Sequence, residues 1–171
     1  IVSKGNLVTK IFIPRKILVF SGVVSSFISS LLEFFILFLL LIVFRVSFTP
    51  NMLYFRFVTL IYFGIVFGAG LALGALYVFY RDLDQIWEVV ISIGFFLSPI
   101  IYPVTLIPDR LLPIYMLNPV TVVMQMYREI LLYGSAPSLP LFGYGIIAAV
   151  ILLIAGSSIF GSLEWRFAEE I

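Results

Sequence analysis

The chain has 171 residues, 63% of them hydrophobic and 11% charged, with a net charge of +1 and a mean hydropathy of +1.21. Water-soluble domains carry about 25% charged residues, so this composition excludes an ordinary soluble domain and points to a chain that lives in lipid. The absence of cysteine and histidine excludes a disulfide, a thiolate nucleophile, an imidazole base and the usual zinc site, and the uneven spread of basic residues reads as a topology signal and not as a nucleic-acid site.

Lys4, Lys10, Arg15 and Lys16 crowd the start of the chain. The positive-inside rule places this cluster in the cytoplasm. Residues 5–16 read as a short surface helix begun near Asn6, with Leu7 and Ile11 four apart, and stopped by Pro14. Such a helix is either a basic anchor beside the membrane or a docking helix for a cytosolic partner. The chain opens at Ile1 without an initiator methionine or the long apolar run of a signal peptide, so an N-terminal portion is expected to be missing.

Four apolar runs follow, at about 17–44, 53–79, 86–102 and 141–162. A helix needs ~20 residues to cross a ~30 Å hydrocarbon core, so the expected fold is all-α, a polytopic integral membrane protein with four spans in this chain. The third run is short, ending in Ser98-Pro99 and Tyr102-Pro103. Alternation from the basic cluster puts residues 45–56 and 103–140 outside and residues 81–85 and the tail inside.

In the first run Gly22, Ser26, Ser30 and Glu33 stack on one helical face, which is expected to avoid lipid. Glu33 falls ~24 Å along the helix, where an unpaired carboxylate costs several kcal/mol. It is either satisfied structurally or lines a pore. In the second run Gly64, Gly68, Gly70 and Gly74 form two small-xxx-small pairs pointing to different sides, a pattern for close packing or a hinge.

Tyr80-Arg81-Asp82-Leu83-Asp84 falls at a cytoplasmic junction, where the carboxylates cap the next helix and Arg81 pairs locally, or where the group acts as a lever. Beyond it, Pro99, Pro103, Pro108, Pro113 and Pro119 recur every four to six residues. Only short helix pieces fit, about 104–116 and 119–133, which suits a re-entrant pair dipping into the outer leaflet. Arg128 and Glu129 sit on its second limb. This segment is a gate at an exit or a structural cap. Trp87, Tyr102, Tyr115, Tyr127, Tyr133 and Trp165 fall near predicted interfaces, as an aromatic belt or as rings lining a lumen where sugars stack. Asp82, Asp84 and Asp109 lie in separate loops and form no catalytic group, and no G-x-x-x-x-G-K-[ST] loop is present. Any nucleotide-driven work is therefore expected of another polypeptide.

Taken in order, Asn6 to Arg15, Tyr80-Arg81-Asp82, Ser98-Pro99-Ile100-Ile101-Tyr102-Pro103, Asn118-Pro119, Arg128, Gly134 and Phe167-Ala168-Glu169 resemble the ABC-2-type permeases that export O-antigen and teichoic-acid polysaccharides. The resemblance runs across nearly the whole chain. It implies a six-span permease whose last four spans are present here, after residues 1–16, which form a cytoplasmic coupling helix. Asn6, Leu7, Lys10, Ile11, Pro14 and Arg15 are then the ATPase-coupling residues. Arg81 and Asp82 belong to a cytoplasmic gate, and Ser98, Pro99, Tyr102, Pro103, Asn118, Pro119, Arg128 and Glu129 to an outer gate, with Glu33 a pore-lining candidate. The resemblance further implies a second permease copy, two cytosolic ATPase subunits that hold ATP and magnesium, a lipid-linked polysaccharide cargo, and a place in the bacterial or archaeal cytoplasmic membrane. This chain would carry no cofactor. A drug- or lipid-exporting relative is the nearest rival, followed by a proton-coupled transporter using Glu33 and a membrane-embedded envelope enzyme.

Overall fold

Residues 15–80 and 82–166 are described by the computed structural model. The expected coupling residues Asn6, Leu7, Lys10, Ile11 and Pro14, and the expected gate residue Arg81, lie outside these; Arg15 opens the first helix. The described residues are helical, without strands. In order they are α1 (Arg15–Val43), a 3₁₀ turn (Pro50–Leu53), α2 (Tyr54–Phe79), α3 (Leu83–Leu97), a 3₁₀ turn (Val104–Leu106), α4 (Leu112–Met116), α5 (Pro119–Leu131) and α6 (Leu139–Leu163), closed by a 3₁₀ turn at Glu164–Arg166.

Three of these helices are long and apolar enough to cross a membrane: Val19–Val43, Pro50–Phe79 and Leu139–Leu163. The third run, expected as a span at 86–102, forms a shorter helix. Helix α3 has 15 residues and is ~22 Å long, short of the hydrocarbon core. The apolar composition continues past Leu97, but Pro99 drives the residue before it out of the α region, and Ser98 is extended at φ −97°, ψ 132°. The expected piece at 104–116 is likewise reduced to one 3₁₀ turn and the five residues of α4, because Pro108 and Pro113 interrupt it.

The fold is organised around α2, which packs parallel against α6, Ile61 meeting Gly145 near their starts and Gly68 meeting Gly156 further along. Gly64 lies against Ala149 and Leu153, Gly68 against the backbone of Leu152 and Leu153, and Gly156 against the Gly68 carbonyl. A Cβ on Gly68 or Gly156 would collide with the facing backbone. Glycine is used here for close approach, as small residues commonly are between membrane helices. The opposite side of α2 receives α1, with Gly70 beneath Val19 and Val23. The two glycine pairs of α2 therefore divide their labour: Gly64 and Gly68 face α6, and Gly70 faces α1.

Helix α1 meets α2 through an aromatic ladder. Phe20 packs edge-on against Phe67, Phe27 against Phe63, and Phe34 and Phe38 against Phe55, with ring centroids 5.1–5.5 Å apart. These are favoured edge-to-face geometries. The Gly22, Ser26, Ser30 and Glu33 face does not make the contact with α2. Gly22, Ser26 and Glu33 are exposed, and a Cβ on Gly22 would touch nothing within 4 Å. The bulkier phenylalanine stripe buries more apolar area, so it takes the contact.

Two clusters mark the ends of the bundle. At the proximal end, where α1 begins, Leu71, Ala75, Val78 and Phe160 are buried with Val19 and Leu163 packed on them. At the distal end Val58, Ile61, Ile65, Val122, Val123, Met126, Ile130 and Ala149 form the larger core. The 44–53 loop and the 98–138 segment share that distal end, joined by the Asn51 amide donating to the Gly134 carbonyl at 2.8 Å. Gly134 ends α5 at φ 63°, where residues with a Cβ are strained. Helix α3 buries none of its residues and is tethered by Asn118 at its C-terminal end.

Candidate functional site: the knot between the short helix and the distal cap

The residues between α3 and α5 are polar where the surroundings are apolar, and the polar groups converge. Asn118 starts α5. Its Oδ1 accepts from the Val120 N–H at 2.9 Å, while Pro119 occupies a first-turn position that needs no N–H. The same side chain donates through Nδ2 to Ser98 Oγ at 2.9 Å. Asn118 thus caps one helix and ties it to the end of another. Ser98 is 2% exposed and Pro99 is fully buried, so the tether is sheltered from water.

Arg128 reaches the same corner from the far side of α5. Its Nη2 donates to the Ile100 carbonyl at 2.9 Å, satisfying an acceptor that the break at Pro99 leaves outside any helix. Its Nη1 is buried and has no hydrogen-bond partner among the described residues. An unsatisfied buried donor of this kind costs about 1–3 kcal/mol, more when charged. Tyr102 closes the bend by donating to the Phe96 carbonyl at 2.7 Å. Pro103 precedes the Val104–Leu106 turn in extended conformation.

Of the eight expected outer-gate residues, the structure brings Ser98, Pro99, Asn118, Pro119 and Arg128 into one knot, with Tyr102 and Pro103 on its exposed flank. Glu129 is not part of it. Its Oε2 accepts from the Ser138 N–H at 3.1 Å, at the start of α6, so Glu129 pins α5 to α6. Asp82 occupies the N-cap position of α3 and is exposed, but its side chain makes no cap bond. The expected carboxylate cap there is corrected: helical dihedrals at Asp82 (φ −74°, ψ −6°), rather than extended ones, accompany the missing bond.

Two contributors escaped sequence reasoning. Thr59 donates to the Phe55 carbonyl at 2.8 Å and lies 3.0 Å from the Tyr127 hydroxyl. Having given its one proton to Phe55, Thr59 accepts from Tyr127. Tyr127 is therefore built into the α2–α5 contact. The signal available was a lone hydroxyl, Thr59, inside an apolar run. Tyr144 adds a second tie, donating to the Leu117 carbonyl at 2.8 Å.

Beside the knot, α1, α2 and α5 enclose a cleft of about 530 Å³. Its walls are apolar and aromatic, with Phe27, Phe34, Phe55 and Tyr62 among them. Ser30, Glu33, Tyr127 and Arg128 supply its polar groups. Glu33, which stands at its exposed edge, has no hydrogen-bond or ion-pair partner among the described residues.

Replacing Asn118 by alanine removes both the cap and the tether. The expected loss is about 2 kcal/mol, roughly half from each bond. Ser98→Ala, which removes only the tether, is expected to lose about half as much. Unfolding titrations of the purified protein in detergent check both values.

Long apolar helices crossing on glycine, with a proline-broken cap at one end, define a multi-pass membrane protein. The chain belongs to the ABC-2 type transporter family, whose model matches residues 6–132. It is similar to the O-antigen export system permease protein RfbA of Myxococcus xanthus (30% identity) and to that of Klebsiella pneumoniae (26% identity). Both matches cover 98% of this chain and 65% of the relative. The chain thus spans just under two thirds of the length of the curated relatives it matches. Family membership and the apolar helices place it in the cytoplasmic, or inner, membrane.

Proposed function

We propose that this chain is the membrane-spanning part of an ATP-driven exporter that moves lipid-linked polysaccharide, of the O-antigen or teichoic-acid type, across the cytoplasmic membrane. The observation that carries the reading is the match along 98% of the chain to permeases named for O-antigen export. The sequence itself contains no phosphate-binding G-x-x-x-x-G-K-[ST] loop. ATP and magnesium are assigned to two separate cytosolic ATPase subunits, and the chain is not an enzyme and holds no cofactor.

In this reading residues 1–16 are the docking element, and residues 17–171 the permease domain with its re-entrant outer segment at 103–140. Asn6, Leu7, Lys10, Ile11, Pro14 and Arg15 meet the ATPase. Two copies of the permease flank the path of the polymer. Arg81 and Asp82 stabilise the inner end, and Ser98, Pro99, Tyr102, Pro103, Asn118, Pro119, Arg128 and Glu129 close the outer end at rest. Helix α3 supports this division of labour, because it buries no residue along its length and is tethered at its distal end by Asn118. A rod tied chiefly at its ends carries a displacement from one end to the other with little repacking between. ATP binding would bias the closed and open arrangements through that rod.

Deleting the gene is expected to abolish polysaccharide on the cell surface and to accumulate lipid-linked polymer on the cytoplasmic side. Undiminished surface polymer in the deletion strain would contradict the proposed cargo.

A further inference from the structure

The cleft between α1 and α5 carries one charge of each sign without pairing them. Arg128 presents a buried, partnerless Nη1, and Glu33 stands at the cleft edge with no partner among the described residues. The remaining walls are aromatic and aliphatic, running along α1 from Phe27 to Leu41. Such a surface suits a ligand with an apolar tail and a headgroup bearing both an anion and a cation. A carboxylate opposite an ammonium, and a guanidinium opposite a phosphate, are the strong charge-assisted pairs. An anionic lipid leaves Glu33 unpaired beside a like charge, and a neutral amphiphile leaves both groups unpaired.

We propose that this cleft binds one phospholipid whose headgroup carries a phosphate and a primary ammonium. The phosphate meets the Arg128 guanidinium, the ammonium meets Glu33, and one acyl chain lies along Phe27, Phe34 and Leu37. Arg128 then holds two partners at once: the Ile100 carbonyl, through Nη2, and the lipid phosphate. The bound lipid thereby joins α1 to the knot at Pro99. This assignment does not depend on the nature of the exported cargo.

The test uses the full-length protein in detergent micelles, supplied with equal amounts of phosphatidylethanolamine, phosphatidylcholine and phosphatidylglycerol, with retained lipid read by native mass spectrometry. The wild type is expected to retain phosphatidylethanolamine over phosphatidylglycerol by about tenfold, the order that one charge-assisted pair supplies. Glu33→Gln, at an exposed position that leaves the fold intact, is expected to erase or invert that preference. Arg128→Lys is expected to keep a retained lipid, and Arg128→Gln to lose it. If Arg128→Gln fails to fold, the Glu33→Gln preference decides the matter alone. Equal retention of the three lipids by the wild type, a preference for phosphatidylglycerol, or an unchanged preference in Glu33→Gln would each overturn the proposal.

Discussion

Gly156→Ala is expected to destabilise the protein by about 3 kcal/mol, although it adds a single methyl group and raises helix propensity. The reason is the crossing of α2 and α6. A Cβ on Gly156 falls onto the Gly68 carbonyl, and one on Gly68 falls onto the backbone of Leu152 and Leu153. Backbone cannot rotate aside as a side chain does, so the helices must separate. Separation loosens the contacts around Val58, Ile61, Ile65 and Ala149 on one side and Leu71 and Phe160 on the other. The same substitution at Gly143 or Gly161, where an added Cβ meets nothing within 4 Å, is expected to be neutral or to stabilise by about 0.5 kcal/mol. Comparing alanine variants at Gly68, Gly156, Gly143 and Gly161 by unfolding titration and by the fraction recovered as monodisperse protein checks the contrast. Equal stability of all four would mean that the helices do not cross on these glycines.

The second large effect concerns coupling. In the proposed arrangement, with the ATPase on a separate subunit, hydrolysis reaches the polymer through the contact between the two proteins. Residues 6–15 combine an apolar pair at helical spacing, Leu7 and Ile11, with basic Lys10 and Arg15. An apolar anchor rimmed by charge is how a small helix docks in a groove. Leu7→Asp combined with Arg15→Gln is expected to lower export at least tenfold while the ATPase keeps its own turnover, because a lost docking contact removes the coupling and not the catalyst. Hydrolysis and transport measured on the same vesicles separate the two. Parallel loss of both activities would point to misfolding, and unchanged export would remove residues 6–15 from the docking surface.

Much of the architecture was legible because lipid imposes length and polarity rules that sequence displays directly. The apolar runs at 17–44, 53–79 and 141–162 correspond closely to α1, α2 and α6, and Asn118-Pro119 begins a helix as that dipeptide predicts. The break at Ser98-Pro99 was visible too, yet apolar composition beyond it concealed that α3 stops at Leu97. The packing faces were harder to read. On α1 the stripe of small and polar residues competed with a phenylalanine stripe, and the facing rings of Phe55, Phe63 and Phe67 decided between them. Side-chain bonds to backbone carbonyls, such as Arg128 to Ile100, join positions with no periodic relation and leave no pattern in a single sequence. Glu129 illustrates the same limit: its neighbour Arg128 turns into the knot, while its own carboxylate turns to Ser138.

The most direct measurement is reconstitution of the full-length protein with its ATPase in vesicles, following undecaprenyl-linked polysaccharide across the membrane. Transport is expected to require ATP and both proteins, and to fail when residues 6–15 are scrambled in a protein that still folds. Movement of polymer without ATP, or transport of a small amphiphile with none of the polymer, would contradict it.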